Sequence, residues 1–274
     1  MKIPLIGAGG KMGVRLSQNL KGSRFNVAHV EVSDAGRDRL KAEVGVDCVD
    51  VDAALEDARA VILAVPDTAI RAVAKSIIDK LAPGTMLIAL DAAAPFAGHF
   101  PERKDVTYFV THPCHPPIFN DETQLPAKRD YFGGIAAKQA IVNALMQGPE
   151  EDYAIGEEIA KTIFQPILRS HRVSVEQMAL LEPGLSETVC ATLLVVMKEA
   201  MDEVIRRGVD PVAARDFLLG HMNILGAVVM EEVDGVFSDA CNKAITNGKK
   251  RLMRDDWIGV FKPDEIRESI RQLT

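Results

Sequence analysis

The chain has 274 residues, 47% of them hydrophobic, and a formal net charge of −7, enough apolar material for one large or two ordinary globular domains. The acidic balance, with no basic run beyond Lys249-Lys250-Arg251, argues against nucleic acid as the main partner. Four scattered cysteines (Cys48, Cys114, Cys190, Cys241) form no CxxC pair and fit reduced thiols; no charged and apolar leader pattern opens the chain, and no run reaches ~18 uninterrupted apolar residues, so the expectation is a cytoplasmic protein without a membrane partner.

Lys2 to Ala8 (KIPLIGA) is a short apolar run ending in glycines, and Lys11 to Leu20 continues with Met12, Leu16 and Leu20 at helical spacing. That reads as strand, turn, helix. A second strand (Phe25 to Val32), a helix from about Ala35 to Val44, a short strand near Cys48 and the apolar run Val61 to Val65 follow. Asp67 to Leu81 reads as a helix, and Thr85 to Leu90 and Tyr108 to Val110 as further strands. Residues 133–148 are ambiguous between strand and helix, Glu151 to Phe164 is helical, and Ile167 to Val175 looks like a last strand. Repeated βα units with near-continuous apolar strands imply a parallel sheet covered on both faces. From about Glu176 strand signals fade: Gly184 to Arg207, Pro211 to Val233 and Ser238 to Met253 read as helices. The expected fold class is therefore α/β: an N-terminal Rossmann-type, doubly wound, mostly parallel sheet over residues 1–174, and an all-α domain for substrate and dimerisation over 175–274. A site in the cleft between them is expected.

Ligands in such sheets sit at the carboxyl ends of the strands. The turn GAGGKMG there carries Gly7, Gly9, Gly10 and Gly13, with Lys11 and Met12 opening the helix. The spacing satisfies G-x-G-x-x-x-G rather than the strict dinucleotide pattern, but meets the same need: a tight turn, close backbone approach to a pyrophosphate, and a helix N-terminus aimed at it. Glu31, about 20 residues on, would accept hydrogen bonds from ribose hydroxyls and repel a 2′-phosphate, so NAD is expected; Arg37 and Arg39 keep NADP open. Pro66 and Asp67 join the cofactor set from the third strand end.

At another strand end lies THPCHPPIFNDE, residues 111–122. Pro113, Pro116 and Pro117 fix φ and stiffen the loop, so His112 and His115 become candidate ligands or proton carriers. A carboxylate from LEPGLSET is the natural partner for a metal, Glu182 or Glu187, with Glu187 favoured for its place in the first turn after Gly184. Each has a bland alternative. The histidines could be hydrogen-bonding structure, Glu187 a charge on a helix dipole, Asn120 to Glu122 a solvated turn, and Cys114 a packed thiol. Asp91 could face the nicotinamide or cap a helix. Asn242 and Lys243 could bind a substrate carboxylate or lie on the surface, His221 reads as a core or interface histidine, and the Leu193, Leu194, Val196, Met197, Met201 stripe as core or dimer interface.

The nucleotide turn, the helical second half and GVDP at residues 208–211 resemble the 6-phosphogluconate and 3-hydroxyisobutyrate dehydrogenase superfamily. Within it, THPCHPPIFNDE and GAGGKMG resemble the D-apionate oxidoisomerase family. The resemblance implies oxidation of a 2-hydroxyl by NAD and migration of a hydroxymethyl group to the new ketone, turning D-apionate into 3-oxo-isoapionate. It also implies a divalent ion (Zn, Mg or Mn) to hold the reacting oxygens, with His115 and Glu187 as ligands and His115, Glu187 and His112 catalytic. The lysine expected on the corresponding helix in simpler dehydrogenases is missing here, and a carboxylate in its place suits a metal. A metal-independent NAD(P)-dependent hydroxy-acid dehydrogenase and a non-catalytic dinucleotide-binding regulator are the competing readings. Partners are expected to be a small sugar acid and a second copy of the chain.

Overall fold

The computed structural model describes residues 1–273. In chain order its elements are β1 (Lys2–Ile6), α1 (Lys11–Leu20), β2 (Asn26–Val30), α2 (Asp34–Val44), α3 (Val51–Leu55), β3 (Ala60–Leu63), α4 (Asp67–Ile77), β4 (Met86–Ala89), α5 (Ala93–Phe96), β5 (Thr107–Pro113), α6 (Leu125–Lys128), β6 (Gln139–Gln147), α7 (Asp152–Ile163), β7 (Ile167–Arg172), α8 (Val175–Ala179), α9 (Thr192–Arg206), α10 (Pro211–Val229), α11 (Asp239–Leu252) and α12 (Pro263–Leu273). The chain divides into two compact units, one of residues 1–182 with the C-terminal segment from Arg267, the other Pro183–Ile266.

The seven strands form one sheet in the order β2-β1-β3-β4-β5-β6-β7. All neighbours are parallel except β5 and β6, where Phe109 faces Leu145 and His112 faces Val142. The apolar strands owe their continuity to having two buried faces. Val61, Leu63, Leu87, Ala89, Tyr108 and Val110 enter one core, while Ile62, Met86, Ile88 and Phe109 enter the other. α1 packs against α2 and α7, and α8 against α5 and β6. The chain reverses direction across the sheet between β1 and β3, the place where such folds open a crevice.

Three expectations change. Residues 45–50 form no strand: Gly45 caps α2 in the left-handed region and Asp50 caps α3, so the segment is spent on helix ends. Residues 133–148 resolve into a loop and the strand β6. The compact unit runs eight residues past the boundary at 174, because α8 packs on the sheet through Val175, Met178 and Ala179 before the chain leaves it.

The helical unit buries little of itself. α9 has no buried residue and α10 buries only Ala214 and Ala227. Val175–Arg206 and Pro211–Val229 are long and apolar enough to cross a membrane by length and composition, although Glu182, Glu187, Lys198 and Asp202 interrupt the first.

Candidate active site

The glycine turn is built by close approach. Gly7 turns at φ +82°, a Cβ on Gly9 would lie 2.3 Å from the Gly36 carbonyl oxygen, and one on Gly13 would lie 2.2 Å from that of Gly7. Only glycines admit this packing. α1 therefore starts with its first turn open: Gly10 is its N-cap, no side chain caps it, and no acid lies in the first turn. These are the features of an anion-binding helix end. Glu31 is held beside it, its Oε2 accepting the Gly9 N–H at 3.0 Å and its Oε1 the Ser33 N–H at 2.9 Å. Arg37 donates to the Glu31 carbonyl and Arg39 to the Gly9 carbonyl, so each of the arginines that kept NADP open spends a donor on the backbone. Gly10, Lys11, Met12, Pro66 and Asp67 line a cleft of about 290 Å3 that reaches Leu90 and Asp91. These residues could hold a dinucleotide, the open helix end offering donors to a pyrophosphate and Glu31 acceptors to a ribose.

At the far end of that cleft, Asp91, His112 and Glu182 each present a ligand atom, all within 4.8 Å of one another. Local structure aims each one. Asp91 follows the buried β4, its Oδ1 accepting the Ala93 N–H at 2.6 Å where α5 begins, while Oδ2 lies 3.5 Å from His112 Nδ1. The His112 Nδ1 is 2.8 Å from the Leu90 carbonyl oxygen. A carbonyl only accepts, so Nδ1 carries the hydrogen and Nε2 keeps its lone pair, as a metal-binding imidazole requires. Glu182 follows α8, whose contact with α5 brings it toward Asp91. Pro183 disfavours helical geometry at the residue before it, and Glu182 is extended (φ −135°, ψ 111°) within the otherwise helical stretch Leu180–Ala191. Asp67 adds a third carboxyl: burial pushes it up, Asp91 and Glu182 push the same way, and His112 opposes them. Such a gathering of negative charge favours a bound cation.

The pairing of His115 with Glu187 is not the group gathered here. His115 stands beside it, its ring centroid 6.1 Å from that of His112, with Nδ1 2.9 Å from the Phe132 carbonyl oxygen. Glu187 belongs to the other compact unit. Asp91 is a candidate ligand that also accepts the first N–H of α5, whose N-cap is Ala92. Asn120 and Glu122 tie down their loop: Asn120 bonds to Pro117 and Glu122 accepts the Lys138 N–H. Cys114 is exposed. In the helical unit, Asn242 and Lys243 line a shallow hollow on α11, and His221 is exposed, stacked on Phe217 at 4.0 Å.

Comparison with known proteins decides the family. The NAD binding domain of 6-phosphogluconate dehydrogenase matches residues 2–96, and the C-terminal domain of decarboxylating phosphogluconate dehydrogenase matches 120–274. The D-apionate oxidoisomerase of Rhizobium rhizogenes is 71% identical over 272 residues, 99% of each chain, and that of Cupriavidus necator is 67% identical over 273 residues, 100% of this chain and 99% of the relative. The chain belongs to the D-apionate oxidoisomerase family. A crystal structure described as a semialdehyde dehydrogenase NAD-binding protein from Cupriavidus necator, in complex with calcium and NAD, is 67% identical and superposes with a TM-score of 0.99, covering 100% of this chain and 99% of that one. Of the two glutamates that the sequence offered, Glu182 is the one the structure brings beside Asp91 and His112, and its cue was the proline after it. Gly36 was missed altogether, although it lies in the first turn of α2, five residues after Glu31.

Proposed function

We propose that this protein is an NAD-dependent oxidoisomerase that converts D-apionate to 3-oxo-isoapionate, oxidising the 2-hydroxyl and then moving a hydroxymethyl group to the new ketone with the help of a divalent ion. The observation that carries the reading is the convergence of Asp91, His112 and Glu182 at the end of the dinucleotide cleft. A donor set of two carboxylates and one imidazole suits Zn, Mg or Mn and tolerates calcium, and the relative described with NAD and calcium supports it. When bound, NAD accepts a hydride and the cation polarises the substrate oxygens.

The chain's own residues supply the rest. The open α1 terminus and Glu31 would hold the nucleotide in the cleft that Asp91 also lines. The Leu90 carbonyl fixes the His112 tautomer, and His115, with its Nε2 lone pair free of the Phe132 bond, takes the proton leaving the 2-hydroxyl and returns it after migration. Migration is internal to the substrate: as the hydroxymethyl group leaves it, the neighbouring carbinol carbon becomes the new ketone and gives up its hydroxyl proton, while the 2-oxygen regains a proton from His115, so the balance is one hydride to NAD and one proton, from that carbinol hydroxyl, to solvent. Glu187 belongs to the helical unit, and its substitution is compared with that of Glu182 below.

We assign dimerisation to the helical unit and a homodimer to the protein. Two helices of 15 and 19 residues that together bury two alanines have apolar faces in search of a partner. The cytoplasm, with its NAD and reducing thiol poise, suits the enzyme.

The test is NADH formation from D-apionate and NAD before and after dialysis against a chelator, with the product's carbon skeleton read by NMR. A rearranged product whose formation needs a divalent ion is expected. An unrearranged 2-oxo acid made equally well by the chelated protein would leave a plain dehydrogenase, and NAD binding without turnover would leave a regulator.

A further inference from the structure

We infer that Arg15 is a positioning residue for the His115 imidazole, acting through the loop that carries Phe132. This deepens the reading above and rests on its proton-carrying role for His115. The backbone at His115 has φ +61°, in the left-handed region, and the next residue is Pro116. Neither fact is the local preference of a histidine before proline; the surrounding structure holds it there.

What holds the ring is the segment from Asp130 to Ala137. The Phe132 carbonyl accepts the His115 Nδ1–H at 2.9 Å, and the Phe132 ring meets the imidazole edge-on, centroids 5.9 Å apart and planes at 85°. The segment's far side is fixed from within: the buried Asp130 Oδ2 accepts the N–H groups of Ile135, Ala136 and Ala137 at 3.0, 2.9 and 3.2 Å. Phe132 itself is 62% exposed, so burial does not fix it. α1 does: the Arg15 guanidinium lies 4.8 Å from the Phe132 centroid and its Nη1 donates to the Gly133 carbonyl at 3.4 Å, while Asn19, one turn on, donates to the Gly134 carbonyl at 2.9 Å. A planar guanidinium can stack and donate at once, which an ammonium cannot.

The helix whose first turn faces the nucleotide cleft thus also sets the ring that would carry the proton. Arg15 is not among the residues lining the nucleotide cleft nor in the Asp91, His112, Glu182 group; it lines a separate hollow with Lys11, Met12 and Phe132, and no role follows for it from the family's glycine turn. Its effect is confined to orientation: with Phe132 in place, Nδ1 keeps its hydrogen and Nε2 its lone pair; with Phe132 loose, the imidazole can rotate or change tautomer.

The experiment compares wild type, Arg15→Met, Arg15→Lys and His115→Ala, reading kcat with D-apionate, the NAD dissociation constant, and the nitrogen shifts of the His115 ring by NMR. Arg15→Met is expected to lower kcat about tenfold or more, as misplacement of a reacting group by a fraction of an ångström does, with NAD affinity unchanged and the His115 shifts moved from a single Nδ1-protonated form toward a mixture. Arg15→Lys should recover part of kcat, and it carries the same readouts if Arg15→Met fails to fold. Unchanged kcat and unchanged shifts in the Arg15 variants, with His115→Ala inactive, would overturn the inference alone. Full turnover in His115→Ala would instead remove the role given to His115; the ring shifts of Arg15→Met then decide the positioning by themselves, a mixture keeping it and an unaltered signature ending it.

Discussion

The Glu31 carboxyl group rests on Gly36: a Cβ at residue 36 would lie 2.7 Å from Glu31 Cδ and 2.8 Å from Ser33 Oγ. Gly36, in the first turn of α2, therefore supports the proposed nucleotide site although it points no side chain at it. It lets the carboxylate lie flat against the helix and reach the Gly9 N–H.

Gly36→Ala should accordingly weaken NAD binding by roughly fivefold to tenfold, the worth of about one hydrogen bond of ~1 kcal/mol or slightly more. Glu31→Ala should lose a similar amount by removing the same carboxylate directly. The double variant should then be no worse than Glu31→Ala, since the two changes act through one group. NAD titration by fluorescence reads all three; fully additive losses would mean that Gly36 acts on something other than Glu31.

The metal group yields a comparison between two glutamates. Glu182→Gln and Asp91→Asn should each reduce affinity for a divalent ion by more than the 10–100-fold that is typical of outer-shell substitutions, because each removes a charged ligand atom from a set whose members lie within 4.8 Å of one another. NAD affinity should hold in both. Glu187→Gln should leave metal affinity intact in a calorimetric titration. A loss in Glu187→Gln with none in Glu182→Gln would return the ligand role to the residue favoured by the sequence.

The sheet was legible because its physics is written in period and composition: Val61 to Leu63 and Met86 to Ala89 are apolar without interruption, as strands buried on two faces must be, and the turn after β1 shows its glycines openly. The candidate site, whose roles remain those proposed above, was legible in part. Glu31, the glycine turn and Asp67 follow from spacing along βα units, and the histidine loop from its position at a strand end. The carboxylate set was not, because it depends on which residues meet in space. α8 docks on α5, Pro183 turns Glu182 out of the helix, and only that conjunction prefers Glu182 to Glu187 five residues later. Phe132 and Arg15 left no trace in the sequence at all, since an exposed aromatic and a helix-surface arginine become informative only when one is found over the other.

The backbone at His115 separates folding from chemistry. Alanine in the left-handed region costs about 1–2 kcal/mol, and glycine there costs almost nothing. His115→Gly should therefore be more stable than His115→Ala by about 1 kcal/mol, the reverse of the usual order for exposed positions, with both inactive. Denaturant unfolding of the two variants measures the difference. Equal stability would show that residue 115 relaxes out of φ +61° once the imidazole is gone.

His29 gives the protein an acid-sensitive point. It sits in β2 at 8% exposure with Nε2 lacking any partner, and burial lowers its pKa from the ordinary 6.5. The unfolded chain therefore takes up a proton before the folded chain does. Stability is whole above the ordinary histidine range and falls as pH drops through it toward the lowered value in the fold. Melting temperature should decline as pH falls through and below the ordinary histidine value of 6.5, and His29→Leu should flatten that decline by abolishing the uptake of one proton. An identical slope in the variant would assign the acid sensitivity to other groups.

The helical unit makes the last prediction, because its sequence is at odds with a solitary chain. In α9, Leu193, Leu194, Val195 and Val196 are all exposed, and in α10 so are Phe217, Leu219, Ile224, Leu225 and Val229. Apolar side chains at this density remain in water only if something else covers them, and a second copy of the same helices offers an equally apolar surface at equal concentration. A two-fold arrangement places each residue in the contact twice. Val195→Asp should thus introduce two carboxylates into one interface. An uncompensated buried charge costs about 3–5 kcal/mol, enough to dissociate a dimer of ordinary affinity at micromolar concentration. Light scattering should read twice the chain mass for wild type and a single chain for Val195→Asp, with the dinucleotide domain still binding NAD. A monomeric wild type would reject the dimer, and a wild type that partitions into lipid vesicles would give these two helices a membrane to face instead.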